Sequence, residues 1–119
     1  MTLHSYGQEW CIPYAYTTQL APNYEEMWAV GQKAVDALES THGVAFTLKI
    51  PSGRYGGFSM DWAKGVRNIK YPVLIELRDT GSYGFLLPTS QIIPSGEETL
   101  AAIAVYLREI IADFNKSRD

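Results

Sequence analysis

Apolar residues recur at three-and-four spacing in two stretches of this chain, and between them lies an apolar run that is too short and too continuous for a helix. The first stretch sets Tyr24, Met27, Trp28, Gly31, Ala34, Val35 and Leu38 on one face, which predicts a helix over about residues 24–41 with a buried stripe. Asn23 follows Pro22 and stands three residues before Glu26, the spacing of a capping box, and Gly43 marks the stop. The second stretch carries Leu100, Ile103, Leu107, Ile110, Ile111 and Phe114 behind a second capping-box pair, Ser95 and Glu98. It predicts a long helix opening at Ser95, running to about residue 115 and packing its stripe on a sheet. Between the two, Val73, Leu74 and Ile75 form an unbroken aliphatic run, the mark of a strand covered on both faces.

Shorter signals complete the pattern. Residues 46–50 read as a strand stopped by Pro51, Ser52 and Gly53. Ser59 is placed to cap a short helix carrying Asp61, Trp62 and Lys64, with Gly65 at its end. Residues 79–96 are rich in Gly, Pro, Ser and Thr and read as turn and loop. Strands alternating with helices predict an α/β fold with a mostly parallel or mixed sheet, of which about three strands are visible. The 119 residues contain no repeat or low-complexity tract, so residues 1–119 read as one domain or part of one.

Composition narrows the partners. With 46% hydrophobic and 19% charged residues the chain has the make-up of a globular protein with a real core. Its net charge of −3 offers no basic stripe for a phosphate backbone, so no nucleic acid partner is expected. No apolar run approaches the roughly 18 residues of a membrane span, so no membrane partner is expected either. The opening MTLHSYGQEW lacks the basic region and apolar segment of a secretion signal. A single cysteine, Cys11, excludes an internal disulfide and, beside Trp10 and Ile12, reads as a small buried apolar residue.

Chemistry concentrates after the aliphatic run, where Glu76, Arg78 and Asp79 interrupt it. Spacing alone leaves two readings open: a structural ion-pair cluster closing the strand, or a carboxylate delivered to the strand end where α/β folds hold their ligands. The chain has two histidines, His4 and His42. They cannot assemble a three-ligand zinc site without carboxylates, and no HExxH spacing is present. His42, just before Gly43, reads as a structural residue facing the last carbonyls of its helix.

The segments ELRDTGSYGFLLP (76–88) and QIIPSGEET (91–99), with LHSY (3–6), PYAYT (13–17), HG (42–43) and SMDWAKG (59–65) in the same order, resemble the zinc metallocarboxypeptidases of the carboxypeptidase A/B type. The resemblance covers nearly the whole chain but matches only the second half of that family's catalytic domain, so a partial domain is expected. It implies a zinc-dependent peptidase acting on peptide or protein C-termini, with His4 as the third metal ligand and Glu76 as the general base. It implies that the other His and Glu ligands, and the groups clamping the substrate carboxylate, lie in the missing half. Arg54, Arg67 and Arg78 offer no evident replacement for that clamp. Met60 matches the position that selects the C-terminal side chain, and an apolar residue there implies apolar or aromatic preference; Met60 also reads as simple packing. Tyr6 and Phe85 match groove-lining positions and read equally as core aromatics. Tyr55 is the nearest candidate for the family's mobile tyrosine, two residues out of register. The resemblance further implies an extracellular, secreted protein and a larger sheet with helices on both faces. The part present would then expose a raw sheet edge, with little or no activity alone and a tendency to self-associate or to pair with the missing half. The alternative is a truncated, non-catalytic paralogue acting by binding.

Overall fold

The computed structural model describes residues 1–51, 53 and 55–116. Ser52 and Arg54, which enter the sequence reading, lie outside the described residues. In chain order the elements are β1 (Thr2–Ser5), β2 (Glu9–Cys11), α1 (Tyr24–His42), β3 (Thr47–Lys49), α2 (Ser59–Gly65), β4 (Leu74–Leu77) and α3 (Ile92–Lys116), with short 3₁₀ turns at Gly84–Leu86 and Thr89–Gln91. The sheet has four strands among the described residues, one more than expected, in the order β1-β4-β2-β3. β4 pairs parallel with β1 and antiparallel with β2, and β2 pairs parallel with β3. The expected mixed α/β sheet is therefore present, and the strands the pattern did not locate are β1 and β2, at one edge and in the interior. β1 sits at an edge with Leu3 and His4 both exposed, so it carries no alternation to read.

Lateral partners in a sheet share a face, which sorts the residues into two surfaces. One face presents Trp10, Leu48 and Ile75 to α1 and α3, and there the core closes with Met27, Ala34, Leu38, Ala102 and Tyr106. Trp10 and Tyr106 meet edge to face with ring centroids 5.1 Å apart, and the Tyr106 hydroxyl donates to the Tyr71 carbonyl at 3.3 Å. The other face carries Thr2, His4, Leu74, Glu76, Glu9, Cys11 and Lys49, where Cys11 and Leu74 pack with Ala15, Phe58 and Met60. Val73, Leu74 and Ile75 are all buried, as the unbroken run predicts. The whole is a slab 18 Å thick along its shortest axis, enough for a sheet and one layer of long helices.

The first periodic stretch forms α1 with the predicted stripe inward, and Gly43 ends it in the left-handed region (φ 71°) with its N–H bonded to the Glu39 carbonyl. The caps differ from expectation. Asn23 makes no side-chain cap bond; its amide donates to the Lys70 carbonyl and its oxygen accepts from Lys64 Nζ, while Glu26 pairs with Lys70 at 2.9 Å. Ser59 does not cap α2 either, since Phe58 holds that position and the Ser59 hydroxyl bonds Thr2 Oγ1 at 2.9 Å. α3 begins three residues before Ser95, because Pro94 is tolerated in a first turn where its missing N–H has no intrahelical acceptor. Ser95 and Glu98 are thus helical, not caps, and Glu98 is fully buried.

The largest correction concerns the second stripe. Leu100, Leu107, Ile111 and Phe114 are at least half exposed, and the buried positions of α3 are Ser95, Glu98, Thr99, Ala102 and Tyr106. Polar partners decided the orientation: Arg78 reaches Glu98 with its Nε at 2.7 Å and its Nη2 at 2.5 Å, and turning Glu98 outward would take its main partner from a guanidinium that is 11% exposed. No described helix is long and apolar enough to cross a membrane.

Candidate active site

β1 and β4 run parallel with His4 directly beside Glu76, so two residues 72 positions apart in sequence share one face of the sheet. His4 Nδ1 stands 3.0 Å from Glu76 Oε2. The imidazole is 59% exposed, whereas the Glu76 side chain is 17% exposed and backed by the sheet. Both line one cavity of about 330 Å³, together with Thr2, Leu74 and the segment from Gly56 to Ser59. A carboxylate so placed has one oxygen engaged by His4 and the other left to face the cavity.

On the other flank of β4, Glu9 is the lateral neighbour of Glu76. Its carboxylate is spoken for: Lys49 Nζ donates to Oε1 at 2.9 Å, and the Cys11 thiol faces Oε2 at 3.8 Å. Burial, with Glu9 adding to it, pushes the Cys11 thiol up to about 12, so Cys11 is no thiolate nucleophile near neutral pH. The bond from Lys49 to Glu9 holds the ammonium above its ordinary value. A Cβ on Gly7 would lie 3.2 Å from Glu76 Cβ and 3.4 Å from Glu9 Cγ, so the turn after β1 passes close over both carboxylates.

Arg78 and Asp79 resolve the ion-pair reading in part. They form structural contacts, but with separate partners and not with Glu76. Arg78 forms the buried pair with Glu98, whose hydrogen bond holds the guanidinium above its ordinary value. Asp79 accepts from the backbone N–H groups of Gly81 at 2.9 Å, Tyr83 at 2.7 Å and Gly84 at 3.1 Å. Burial raises its carboxyl, and these donors more than reverse the effect, leaving it below its ordinary value. Asp61 plays the same part for another loop, accepting from the N–H groups of Ala15 and Tyr16.

The remaining candidates separate. Tyr6 and Phe85 come together, ring centroids 5.0 Å apart and edge to face, on an exposed surface and not in the core; Gly84 permits the approach, since a Cβ there would lie 3.0 Å from the Tyr6 ring. Tyr55 is exposed, with its ring 6.4 Å from Phe58. Met60 is 2% exposed and belongs to the interior cluster with Cys11, Ala15 and Leu74. It does not present a groove wall, because α2 turns it inward while Trp62 on the same helix is exposed beneath Arg67. His42 does not cap its helix but stands 2.7 Å from Glu97 of α3. Sequence reasoning missed Glu9 and Lys49, whose place beside Glu76 depends on strand register, and Phe58, which lines the cavity from the segment ahead of α2.

A sequence model described as zinc carboxypeptidase matches residues 1–102. The chain is 41% identical over 119 residues to carboxypeptidase B of Astacus astacus, covering 98% of this chain and 38% of that protein. To human carboxypeptidase O it is 40% identical over 115 residues, covering 94% and 30% respectively. The fold superposes on the crystal structure of thrombin activatable fibrinolysis inhibitor with a TM-score of 0.80 and 34% identity, over 92% of this chain and 28% of that one. The chain thus spans between about a quarter and two fifths of the length of these relatives.

Zinc is the metal these matches imply, and the donor set tests it. His4 offers one imidazole at the cavity mouth, yet no group of three or more His, Cys, Asp or Glu among the described residues is placed to hold a metal ion. A catalytic zinc takes three protein ligands, so the described residues fit one corner of such a site and do not close it.

Proposed function

Since the chain belongs to the zinc carboxypeptidase family, we propose that it forms the general-base portion of a carboxypeptidase catalytic domain, a single partial domain of an intact protein that removes apolar or aromatic residues from peptide and protein C-termini. The observation that supports this reading is the 3.0 Å contact between His4 Nδ1 and Glu76 Oε2 in a shared cavity. His4 supplies one metal ligand, and the others come from polypeptide beyond the residues described. Zinc, when bound, provides Lewis-acid chemistry. Glu76 takes a proton from the attacking water and returns it to the leaving amine, a task requiring a fixed carboxylate within hydrogen-bond reach of both. On the resemblance, we assign Tyr6 and Phe85 to the substrate groove and Tyr55 to the part of the closing tyrosine. On the family resemblance alone we place the intact protein outside the cell.

The test joins this chain to the N-terminal part of a relative's catalytic domain, supplies zinc and follows release of phenylalanine from a blocked dipeptide. Turnover should appear in the joined protein and fall about 10³-fold in Glu76→Gln. The 119-residue chain alone should give none. Full activity in Glu76→Gln, or turnover by the chain alone, overturns the reading.

A second reading, action by binding to a polypeptide that carries the missing part of the carboxypeptidase domain, has its own observation. The free edge of β1 continues into an apolar groove of about 510 Å³ running past Leu3, Leu77, Phe85, Leu100 and Ile103. An open edge beside an apolar groove is a template for an added strand, and solved relatives contain well over twice as much polypeptide. Co-purification of such a polypeptide with this chain favours this reading; its absence from pull-downs under conditions that retain folded chain counts against it.

A further inference from the structure

The open edge of β1 carries an imidazole with one nitrogen in use and one to spare. Glu76 Oε2 stands 3.0 Å from His4 Nδ1, and a carboxylate on one ring nitrogen is how proteins orient a histidine that ligates metal through the other. The ring is more than half exposed at the edge of the sheet, which leaves Nε2 to ligate. The edge itself is also half used. The Thr2 N–H donates to the Val73 carbonyl just ahead of β4 at 2.9 Å, and backbone groups alternate in direction along a strand. Thr2 and His4 therefore spend theirs on β4, while Leu3 and Ser5 turn theirs outward, where β1 ends the sheet among the described residues.

We propose that two copies of this chain pair antiparallel through their β1 edges and hold one divalent cation of the zinc, nickel or copper class between their His4 Nε2 atoms, each Glu76 orienting its own imidazole. A two-fold axis normal to the sheet lets only residues of one face oppose each other. With His4 on that axis, Leu3 of each copy stands opposite Ser5 of the other, and the outward N–H and C=O groups of both find partners. His4 then opposes His4 as a non-hydrogen-bonded pair, whose Cα atoms approach to about 4.5 Å, near enough for two imidazoles to share an ion. No group of three or more donors is placed to hold a metal in one copy among the described residues; the second copy supplies the second imidazole, and water fills the open positions. Imidazole nitrogen suits zinc, nickel and copper and leaves magnesium to oxygen ligands. On the helix side the same pairing sets Leu3 and the groove beside Leu100 and Ile103 against their counterparts, so apolar burial supports it. The occupant is a second copy because edge, histidine and groove each recur where the first copy lacks a partner. The inference concerns the chain by itself and does not depend on turnover.

The experiment sediments the 119-residue protein, stripped with EDTA, in the presence of Zn²⁺, of Mg²⁺ or of neither. Equilibrium dialysis should find one zinc per two chains, and zinc should lower the apparent dimer dissociation constant about tenfold or more. EDTA should reverse both effects, and Mg²⁺ should produce neither. His4→Asn should abolish the zinc effect, His42→Asn should leave it intact, and Glu76→Gln should weaken zinc binding about 10–100-fold with zinc-free sedimentation unchanged. Amide dispersion checks that each variant is folded. The register has its own test: without metal, His4→Cys should cross-link under mild oxidation about fivefold or more faster than Leu3→Cys, because only the first pair falls within the ~4.4–6.8 Å Cα span of a disulfide. Cys11 is buried and stays silent. One zinc per chain on a monomer, no zinc binding, zinc binding that survives His4→Asn, or faster cross-linking of Leu3→Cys each overturns the proposal. A monomer at every loading, with and without zinc, also overturns it and leaves the edge to the polypeptide of the second reading. None of these outcomes touches the turnover test of the joined protein, so the two readings fail separately.

Discussion

At the scale of the residue, charge is spent mostly on holding loops. Asp79 shows this most directly, because its carboxylate gathers three backbone N–H groups of the turn that leads to Phe85. Its folded proton affinity lies below the ordinary carboxylate value, so the unfolded chain binds the proton more readily than the folded one. The stability Asp79 contributes is therefore complete above about pH 4, the ordinary carboxylate range, and drains as pH falls through the lower folded value. Asp79→Asn should lower the thermal midpoint at pH 7 and flatten its fall between about pH 4 and 2.5; parallel curves for the two proteins would refute this. A residual acid dependence should remain through Asp113, whose carboxyl the Lys70 hydrogen bond also holds low. The residue types of His4 and Glu76 were legible in the motifs. Their contact was not, since only strand register shows which of two distant residues become neighbours.

Among elements, the decisive joint is between β4 and α3. Arg78 leaves the end of β4, its side chain 11% exposed, and meets the fully buried Glu98 two-pronged. Breaking such a pair leaves an unpaired buried charge, so Arg78→Ala should cost about 3–5 kcal/mol, read from the urea midpoint at constant slope. Replacing both partners by apolar residues, Arg78→Met with Glu98→Leu, should recover most of that loss. A loss under about 1 kcal/mol in the single variant would show that the pair does not hold the elements together. In the sequence, Ser95 and Glu98 had the spacing of a capping box, and helix periodicity alone could not tell a cap from a buried partner. Pro94 was the overlooked signal, because proline belongs in a first turn.

For the whole molecule, the notable property is asymmetry. One sheet face has its two long helices, while β1 ends the sheet with an open edge and α3 turns Leu100, Leu107 and Ile111 outward. Apolar groups on an unprotected edge favour association. The 119-residue chain should show concentration-dependent sedimentation, and the double variant Leu100→Lys with Leu107→Lys should sediment as a monomer at the same loading. Because both positions are exposed, its unfolding free energy should stay within about 0.5 kcal/mol per site of the parent. A sharp monomer boundary for the parent at high concentration would remove the basis of this expectation.

The amino-acid order by itself determined α1 and its inward stripe, the doubly covered run of β4, the mixed α/β class and the family, because periodicity, strand continuity and ordered motifs are local properties of a chain. Tertiary structure alone decided which face of α3 points inward, since that helix carries apolar residues on more than one side and the buried Arg78–Glu98 pair selects between them. It also decided that Phe58 faces the cavity while Met60 lies behind, and that His4 meets Glu76. Each is a relation between distant segments, set by contacts across the fold, strand pairing for His4 and Glu76 and the ion pair for α3, and not by local preference.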